Sequence, residues 1–194
     1  MIVVYDFDKT LTYKDTLLGF FLEFSKNPLK LFIYFLAMVF AKLKLISNDT
    51  LKEVGVRLYL YKKTKDEVKK LSKSYAKKIK TNFIYKDIDY SQTIYIVSAS
   101  FEEYLKPLFP KEVFVVASKL RYKDGRVDGV LFNCYGENKI KALKNYKVLK
   151  IDSFFTDSYS DLPLVKISKK TVVIKGDEAI ECESLDDFKR CFKR

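Results

Sequence analysis

Histidine is absent from this chain of 194 residues, and so is tryptophan. Without histidine, the Ser-His-Asp and Cys-His nucleophilic arrangements, histidine general bases and histidine metal ligands are all excluded. Any chemistry must therefore use carboxylates, lysines, hydroxyls or a hard metal ion that prefers oxygen ligands.

Glycine, proline and cysteine are scarce. Six glycines and four prolines leave little room for long flexible linkers. The three cysteines, Cys134, Cys182 and Cys191, lack CxxC spacing, which indicates reduced thiols rather than a disulfide framework or a zinc site. The N-terminus reads as a strand and not as a secretory signal, so we expect a cytoplasmic protein.

Acidic residues are outnumbered, because 25 Asp and Glu stand against 37 Lys and Arg, a net charge of +12. Such an excess attracts phosphorylated metabolites, anionic lipid surfaces or nucleic acids. Lysine dominates over arginine, which disfavours base-specific readout of nucleic acid. A basic nucleic-acid-binding module is the remote alternative to an enzyme, and we expect no nucleic-acid partner.

The pattern along the chain is α/β, with a helical block inserted after the first strand. The apolar run 2–5 predicts a buried strand, and further strands are predicted at 93–97, 113–116, 118–122, 127–132, 153–155 and 171–174. Helical patterns occupy the chain from Asp15 to about Phe83, and a lysine-rich helix is predicted over 137–146. We therefore expect a parallel α/β core domain of residues 1–12 and 84–194. Residues 13–83 would form a four-helix insertion placed to act as a lid.

The second helix of this insertion, from about Leu29 to Leu45 with Pro28 in its first turn, is apolar all round over residues 31–41. Burial inside the helical bundle is the favoured interpretation. Docking at an anionic membrane surface is the second, because lysines flank the run and line the fourth helix. A full membrane span is the least favoured, because eleven apolar residues are well short of the hydrocarbon thickness.

Polar residues follow three of the predicted strands. Asp6 and Asp8 come directly after the first strand, and carboxylates two residues apart point the same way, which suggests a bound cation or a shared proton. Ser98 follows the strand 93–97, where its hydroxyl and the N–H groups of Ala99 and Ser100 leading into a helix could hold a phosphoryl oxygen.

Asp157 and Asp161 follow the strand 153–155, one helical turn apart, and could contact or orient a metal. Lys139 begins the lysine-rich helix and could neutralise charge near a phosphate. Because the carboxyl ends of parallel strands meet at one edge of a sheet, we expect these groups to converge on one crevice.

With these motifs, the sequence resembles the haloacid dehalogenase (HAD) superfamily of hydrolases, on its phosphoserine-phosphatase-like branch. The match runs through Asp6 to Thr12, Ser98, Lys139 and 157–164, nearly the whole chain. The resemblance implies a Rossmann-like parallel sheet sandwiched by helices, with an all-helical cap inserted after the first motif. It also implies a phosphatase that acts through an aspartyl-phosphate.

The resemblance further assigns roles to single residues. Asp6 would be the nucleophile and Asp8 the acid and base, while Thr10 would position Asp8 and its loop. Ser98, Ala99 and Lys139 would bind the phosphoryl group. Mg²⁺ would be held by Asp6, Asp157 and the backbone carbonyl of Asp8, with Asp161 supporting the site from behind.

The substrate is less well defined by sequence. Phosphoserine phosphatases of this branch carry a glutamate soon after the first motif, whereas this chain has Thr12 to Thr16 without one. We therefore expect a small phosphomonoester first. A lipid phosphate at the inner face of a membrane comes next, since the insertion resembles those of phosphatidylglycerophosphate phosphatases, and then phosphoserine.

Overall fold

A computed structural model describes residues 1–193 and contains one seven-stranded sheet. The strand order is β4-β3-β2-β1-β5-β6-β7. The strands are β1 (Ile2–Tyr5), β2 (Thr93–Phe101), β3 (Phe114–Lys123), β4 (Arg126–Phe132), β5 (Ile151–Thr156), β6 (Ser168–Lys175) and β7 (Glu178–Cys182). The five inner strands are parallel, and β4 and β7 are antiparallel edge strands. The predicted α/β fold with a parallel sheet is confirmed.

The helices lie in two groups. Between β1 and β2 the chain forms α1 (Leu17–Phe24), α2 (Pro28–Lys42), α3 (Asn48–Tyr59) and α4 (Lys65–Ala76), which we call the four-helix segment. Shorter helices follow: α5 (Phe83–Lys86), α6 (Glu102–Leu105), α7 (Glu137–Asn145), α8 (Leu162–Val165) and α9 (Leu185–Arg190). The sequence Thr64-Lys65-Asp66-Glu67 has the pattern of a capping box, and Thr64 and Glu67 form one at the start of α4.

Several boundaries differ from prediction. The predicted strands 113–116 and 118–122 are one continuous strand, β3, because β2 pairs with its first half and β4 with its second. Strand β7 and helix α9 were not predicted, since their short segments are rich in charge. All three cysteines are free thiols, although the sulfurs of Cys182 and Cys191 lie 3.9 Å apart.

The sheet is buried on both faces. Alternate side chains of β1 point to opposite sides, so Val3 and Tyr5 pack with the four-helix segment and Val4 packs with α7. The first face forms one apolar cluster with Phe20 and Phe21 of α1. The four-helix segment and the sheet thus share a core, while the division into a core domain and a cap stays a prediction.

Helix α2 is not buried inside the bundle, contrary to the favoured interpretation of its apolar sequence. It packs against α3, and its buried residues are Tyr34 and Ala37. Its outer face is exposed, with Phe32 at 58% of its full accessibility. This α2 outer face comprises Leu29, Phe32, Leu36, Val39, Phe40 and Leu43. No helix among the described residues is long and apolar enough to span a membrane.

Candidate active site

Asp6 lies immediately after β1, at the carboxyl edge of the sheet, where its N–H donates to Phe155 O of β5 at 2.9 Å. The side chain is buried, and Lys139 Nζ donates to Asp6 Oδ1 at 2.8 Å. Burial raises the pKa of Asp6 well above its usual value, and Lys139 opposes this while Asp161 and Asp157 add to it. Asp6 is thus an acid whose ionisation depends on nearby positive charge.

Lys139, in the first turn of α7, bridges two carboxylates. Its Nζ lies 2.6 Å from Asp161 Oδ1 as well as 2.8 Å from Asp6 Oδ1. Burial alone lowers the pKa of this lysine, but the charges of Asp161 and Asp6 outweigh burial and raise it. Asp161 is held from its other oxygen, because Thr156 Oγ1 donates to Asp161 Oδ2 at 2.7 Å. Asp161 therefore fixes Lys139 rather than facing the crevice.

Asp8 is held by a separate set of donors. Thr16 donates to Asp8 Oδ1 through both its N–H, at 2.8 Å, and its hydroxyl, at 2.6 Å. Ser100 Oγ donates to Asp8 Oδ2 at 2.5 Å. Burial raises the pKa of Asp8 to about 6, the charge of Asp15 adds to this, and the bonds from Ser100 and Thr16 oppose it. A carboxyl with that pKa can both give and take a proton near neutral pH.

Thr10 does not make the contact expected of it. Its hydroxyl is buried and has no hydrogen-bond partner among the described residues, and its carbonyl accepts from Asn82 Nδ2 at 2.9 Å. The donors to the Asp8 side chain are Thr16 and Ser100, which the sequence motifs did not indicate. Thr10 thus shapes the loop through its backbone, without a side-chain contact to Asp8.

Ser98 lies within β2, which continues to Phe101, so no helix begins at Ala99 as the sequence pattern suggested. The pairing of β2 with β3 shifts register between Ser98 and Phe101. Ser100 N–H turns back to Ser98 Oγ at 3.0 Å. This irregular segment brings Ser98 and Ala99 to the crevice.

The structure brings most of the predicted site residues to one small cavity of about 160 Å³. The predicted residues that line it are Asp6, Asp8, Ser98, Ala99, Lys139 and Asp157. Thr10 and Asp161 do not line it. An adjoining cavity of about 190 Å³ shares Asp8 and Ala99 and extends to the four-helix segment, where it meets Tyr34 and Lys52.

The charges around Asp6 suit a divalent cation. Asp6, Asp157 and Asp161 lie near one lysine, Lys139, and repulsion from Asp161 and Asp157 raises the pKa of Asp6. Burial raises the pKa of Asp157 to about 6, although the positive charge of Lys9 opposes this. A hard cation with oxygen ligands would relieve this repulsion. No three acidic or thiol side chains of residues 1–193 form a complete metal cluster, so such an ion would also need backbone, water or phosphate oxygens.

The family model that matches this chain is that of haloacid dehalogenase-like hydrolases, over residues 3–166. The chain belongs to this hydrolase family. Its match includes all four motifs that the sequence indicated, from Asp6 to Asp161. No curated protein sequence compared with this chain matches it significantly.

Solved structures share the fold of this family member at low sequence identity. A Bordetella pertussis Tohama I protein of unknown function superposes with a TM-score of 0.71 and 15% identity, over 89% of this chain and 88% of its own. A phosphoserine phosphohydrolase-like protein from Francisella tularensis superposes with a TM-score of 0.60 and 21% identity, over 88% of this chain and 85% of its own. A substrate-bound phosphoserine phosphatase superposes with a TM-score of 0.59 and 18% identity, over 99% of this chain and 98% of its own.

Proposed function

We propose that this HAD-family hydrolase is a Mg²⁺-dependent phosphatase that cleaves a phosphomonoester through a covalent intermediate on Asp6. The observation that carries the proposal is the convergence of Asp6, Asp8, Ser98 and Lys139 on one cavity of about 160 Å³. A nucleophile, a proton carrier and phosphate-binding groups are the parts that phosphoryl transfer requires.

In the proposed reaction a carboxylate oxygen of Asp6 attacks phosphorus, and the bond to the leaving oxygen breaks. Asp8 gives its proton to that oxygen, which leaves as the alcohol. Asp8 then takes a proton from water, whose oxygen attacks phosphorus and releases Asp6 and inorganic phosphate. The pKa of about 6 for Asp8 suits both directions of proton transfer.

The remaining groups of the site would bind the phosphoryl group and offset its negative charge. Ser98 Oγ, the Ala99 N–H and Lys139 Nζ would bind the phosphoryl oxygens. Asp6, Asp157 and the backbone carbonyl of Asp8 would hold Mg²⁺. When bound, this ion supplies positive charge that offsets the negative charge of the phosphoryl group. The four-helix segment would act as the cap that limits which leaving groups can enter.

Substitution of the nucleophile gives the direct test. With an aryl phosphate and Mg²⁺, we expect Asp6→Asn to lower phosphate release by roughly a thousandfold or more, because an amide cannot form the acyl phosphate. Asp124→Asn, in the exposed turn between β3 and β4, is the matched control and should retain full activity. Chelation of Mg²⁺ should abolish the wild-type activity. Undiminished activity in Asp6→Asn would overturn the mechanism.

A second candidate substrate, a lipid phosphate, is favoured by the exposed α2 outer face. Between Glu23 and Asp49 the chain has no acidic residue, and Lys26, Lys30, Lys42 and Lys44 flank the apolar stretch. An apolar face with lysines at both ends suits an anionic membrane surface. A second copy of the chain suits it less, because the same lysines would face each other.

Vesicle binding tests this candidate. We expect wild-type protein to sediment with vesicles of phosphatidylglycerol and phosphatidylcholine, but not with phosphatidylcholine alone. Replacing Phe32, Leu36 and Val39 by glutamine should weaken binding by on the order of 100-fold, because three large apolar side chains no longer enter the interface. Activity on the soluble aryl phosphate should not change.

The control replaces Leu131 and Leu149, which lie outside α2 and are at least as exposed as the three α2 residues, by glutamine. It should bind vesicles as the wild type does. Absence of binding at low salt would refute docking, and a dimer that the α2 variant dissociates would instead identify a subunit interface. Hydrolysis of vesicle-borne phosphatidylglycerophosphate, compared with soluble glycerol phosphate and phosphoserine, then assigns the substrate class.

A further inference from the structure

Lys52 of α3 is a buried lysine outside the family motifs. It is 5% exposed, and burial lowers its pKa to about 8. Its ammonium group donates to three acceptors in or next to the sheet: Ala99 O of β2, Ser118 Oγ of β3 at 2.9 Å, and Oδ1 of Asn133, directly after β4. A lysine has three N–H donors, so this ammonium is satisfied within the protein.

The acceptor Ala99 O belongs to the irregular segment that supports the active site. Ser98 and Ser100 flank it, and the register of the β2–β3 pairing shifts at this point. The Ala99 carbonyl and the Ser100 N–H share one planar peptide group, so a bond that fixes the carbonyl also fixes the N–H. That N–H donates to Ser98 Oγ at 3.0 Å, while Ser100 Oγ donates to Asp8 Oδ2 at 2.5 Å.

Helix α3 holds the same region through Asp49, one turn before Lys52. Asn133 Nδ2 donates to Asp49 Oδ1 at 2.5 Å, and Asn133 Oδ1 accepts from Lys52. Asn133, directly after β4, is thus bound by two residues of one helix. The position of α3 is therefore transmitted to the peptide between Ala99 and Ser100.

We propose that Lys52 is a positioning residue. Its hydrogen bond to the Ala99 carbonyl orients the Ser98 hydroxyl and the hydrogen bond from Ser100 to Asp8. The geometry of the active site therefore depends on the position of α3 relative to the sheet. This assignment rests on the proposed phosphatase function, because Ser98 and Asp8 carry its chemistry. Although Lys52 also lines the adjoining cavity of about 190 Å³, this assignment has it act through Ala99 and not by contacting the substrate.

The test compares Lys52→Met with Glu53→Gln. Methionine fills similar space without donors, and Ser118 Oγ still donates to Ala99 O at 2.7 Å, so we expect the fold to persist. Glu53 also joins α3 to the sheet, by accepting from Val130 N at 2.8 Å, but its hydrogen-bond partners among the described residues are Val130 and Arg57 and do not include Ala99. Both variants should stay folded under the assay conditions, although Lys52→Met should lower the denaturation midpoint, because Asn133 Oδ1 loses a donor that Ser118 does not replace.

For Lys52→Met we expect kcat on aryl phosphate to fall by roughly 10- to 100-fold, with KM changed by less than about threefold, because misplacing a reacting group by a fraction of an ångström has effects of this order. Glu53→Gln should leave both constants near wild type. An unchanged kcat would overturn the proposal. A loss confined to KM would show that Lys52 binds substrate instead.

Amide hydrogen exchange of Ser100 supplies a readout that needs no catalysis. In Lys52→Met this amide should exchange at least about tenfold faster than in wild type, because its bond to Ser98 Oγ is no longer held in place. In Glu53→Gln the rate should not change. If the wild-type protein hydrolyses no phosphate ester, the proposed phosphatase function fails, but the exchange rate still tests whether Lys52 positions this segment. An exchange rate of the Ser100 amide that is unchanged in Lys52→Met would refute that role.

Discussion

At the scale of single residues, burial determines the ionisation of most groups that matter here. Asp8 and Asp157 both have a pKa raised to about 6 by burial. Neighbouring charges then change these pKa values further. The negative charge of Asp15 raises the pKa of Asp8, whereas the positive charge of Lys9 lowers the pKa of Asp157. The site therefore concentrates acids that a cation or a proton must balance.

Glu103, outside the active site, allows a test of the same effect on stability. Its Oε2 is buried without a hydrogen-bond partner among the described residues, and burial raises its pKa from 4.5 to about 7. Between these pH values the folded protein keeps a proton that the unfolded chain releases. The free energy of unfolding therefore falls as pH rises through this window and levels off above about pH 7.

Glu103→Gln should remove this pH dependence. Urea denaturation should show the variant equal to wild type near pH 4.5 and more stable by about 2 kcal/mol at pH 8, allowing for partial solvent exposure. Glu102→Gln is the control, since that carboxylate pairs with Lys106 at 3.0 Å and its loss should change stability by less than about 0.5 kcal/mol. An offset for Glu103→Gln that is the same at both pH values would contradict the assignment.

At the scale of helices, close packing explains one residue that propensity alone would disfavour. Gly55 lies in α3, where a Cβ would come within 2.3 Å of Phe21 Cε2 and 2.9 Å of Tyr34 Cε2. Phe21 and Tyr34 are buried rings of α1 and α2. Gly55 is therefore the point at which three helices of the segment meet.

Gly55→Ala should lower the free energy of unfolding by about 1–2 kcal/mol, because displacing packed rings costs more than the roughly 1 kcal/mol gained in helix propensity. The comparison is Ser74→Ala at an exposed position of α4, which should be neutral or slightly stabilising. Chemical denaturation of both variants measures the difference. A more stable Gly55→Ala protein would mean that the rings of Phe21 and Tyr34 move without cost.

The same helices show where sequence patterns reach their limit. The apolar residues of α2 predict a helix, and a helix forms, but the pattern does not say how much of its surface other elements cover. Tyr34 and Ala37 are buried on the side of α2 that faces α3 and Phe21 of α1, while Phe32 on the opposite side is exposed. Burial depends on tertiary neighbours, which a local periodicity does not contain.

At the scale of the whole molecule, the sequence predicts the residues that line the active site better than the residues that hold them in position. Asp6, Asp8 and Asp157 follow strand ends, Lys139 begins a helix, and Ser98 lies at the irregularity near the end of β2. The topology of a parallel sheet brings such positions together. These groups can be found from local sequence because their place relative to a strand or helix sets their function.

The supporting residues act over distance in the chain. Ser100 bonds to Asp8 across 92 positions, and Lys52 bonds to Ala99 across 47. A serine near the end of a strand and a lysine in a lysine-rich chain carry no local signal of such partners. Thr16, only eight residues from Asp8, could have been found as a hydroxyl able to cap that carboxylate. Strand β7 and helix α9 are not predicted for another reason: both are short segments rich in charged residues.

The two edges of the sheet have consequences for association between molecules. Along β4, Lys62 N–H donates to Val127 O at 2.9 Å and Val127 N–H donates to Lys63 O at 2.8 Å, while Glu53 accepts from Val130 N–H. Three backbone groups of this edge that could pair with another strand are thus already used. The opposite edge, β7, is five residues long and carries exposed Glu178 and Glu181. Both edges of the sheet therefore resist pairing with strands of other molecules, so the sheet is expected to end at its seven strands.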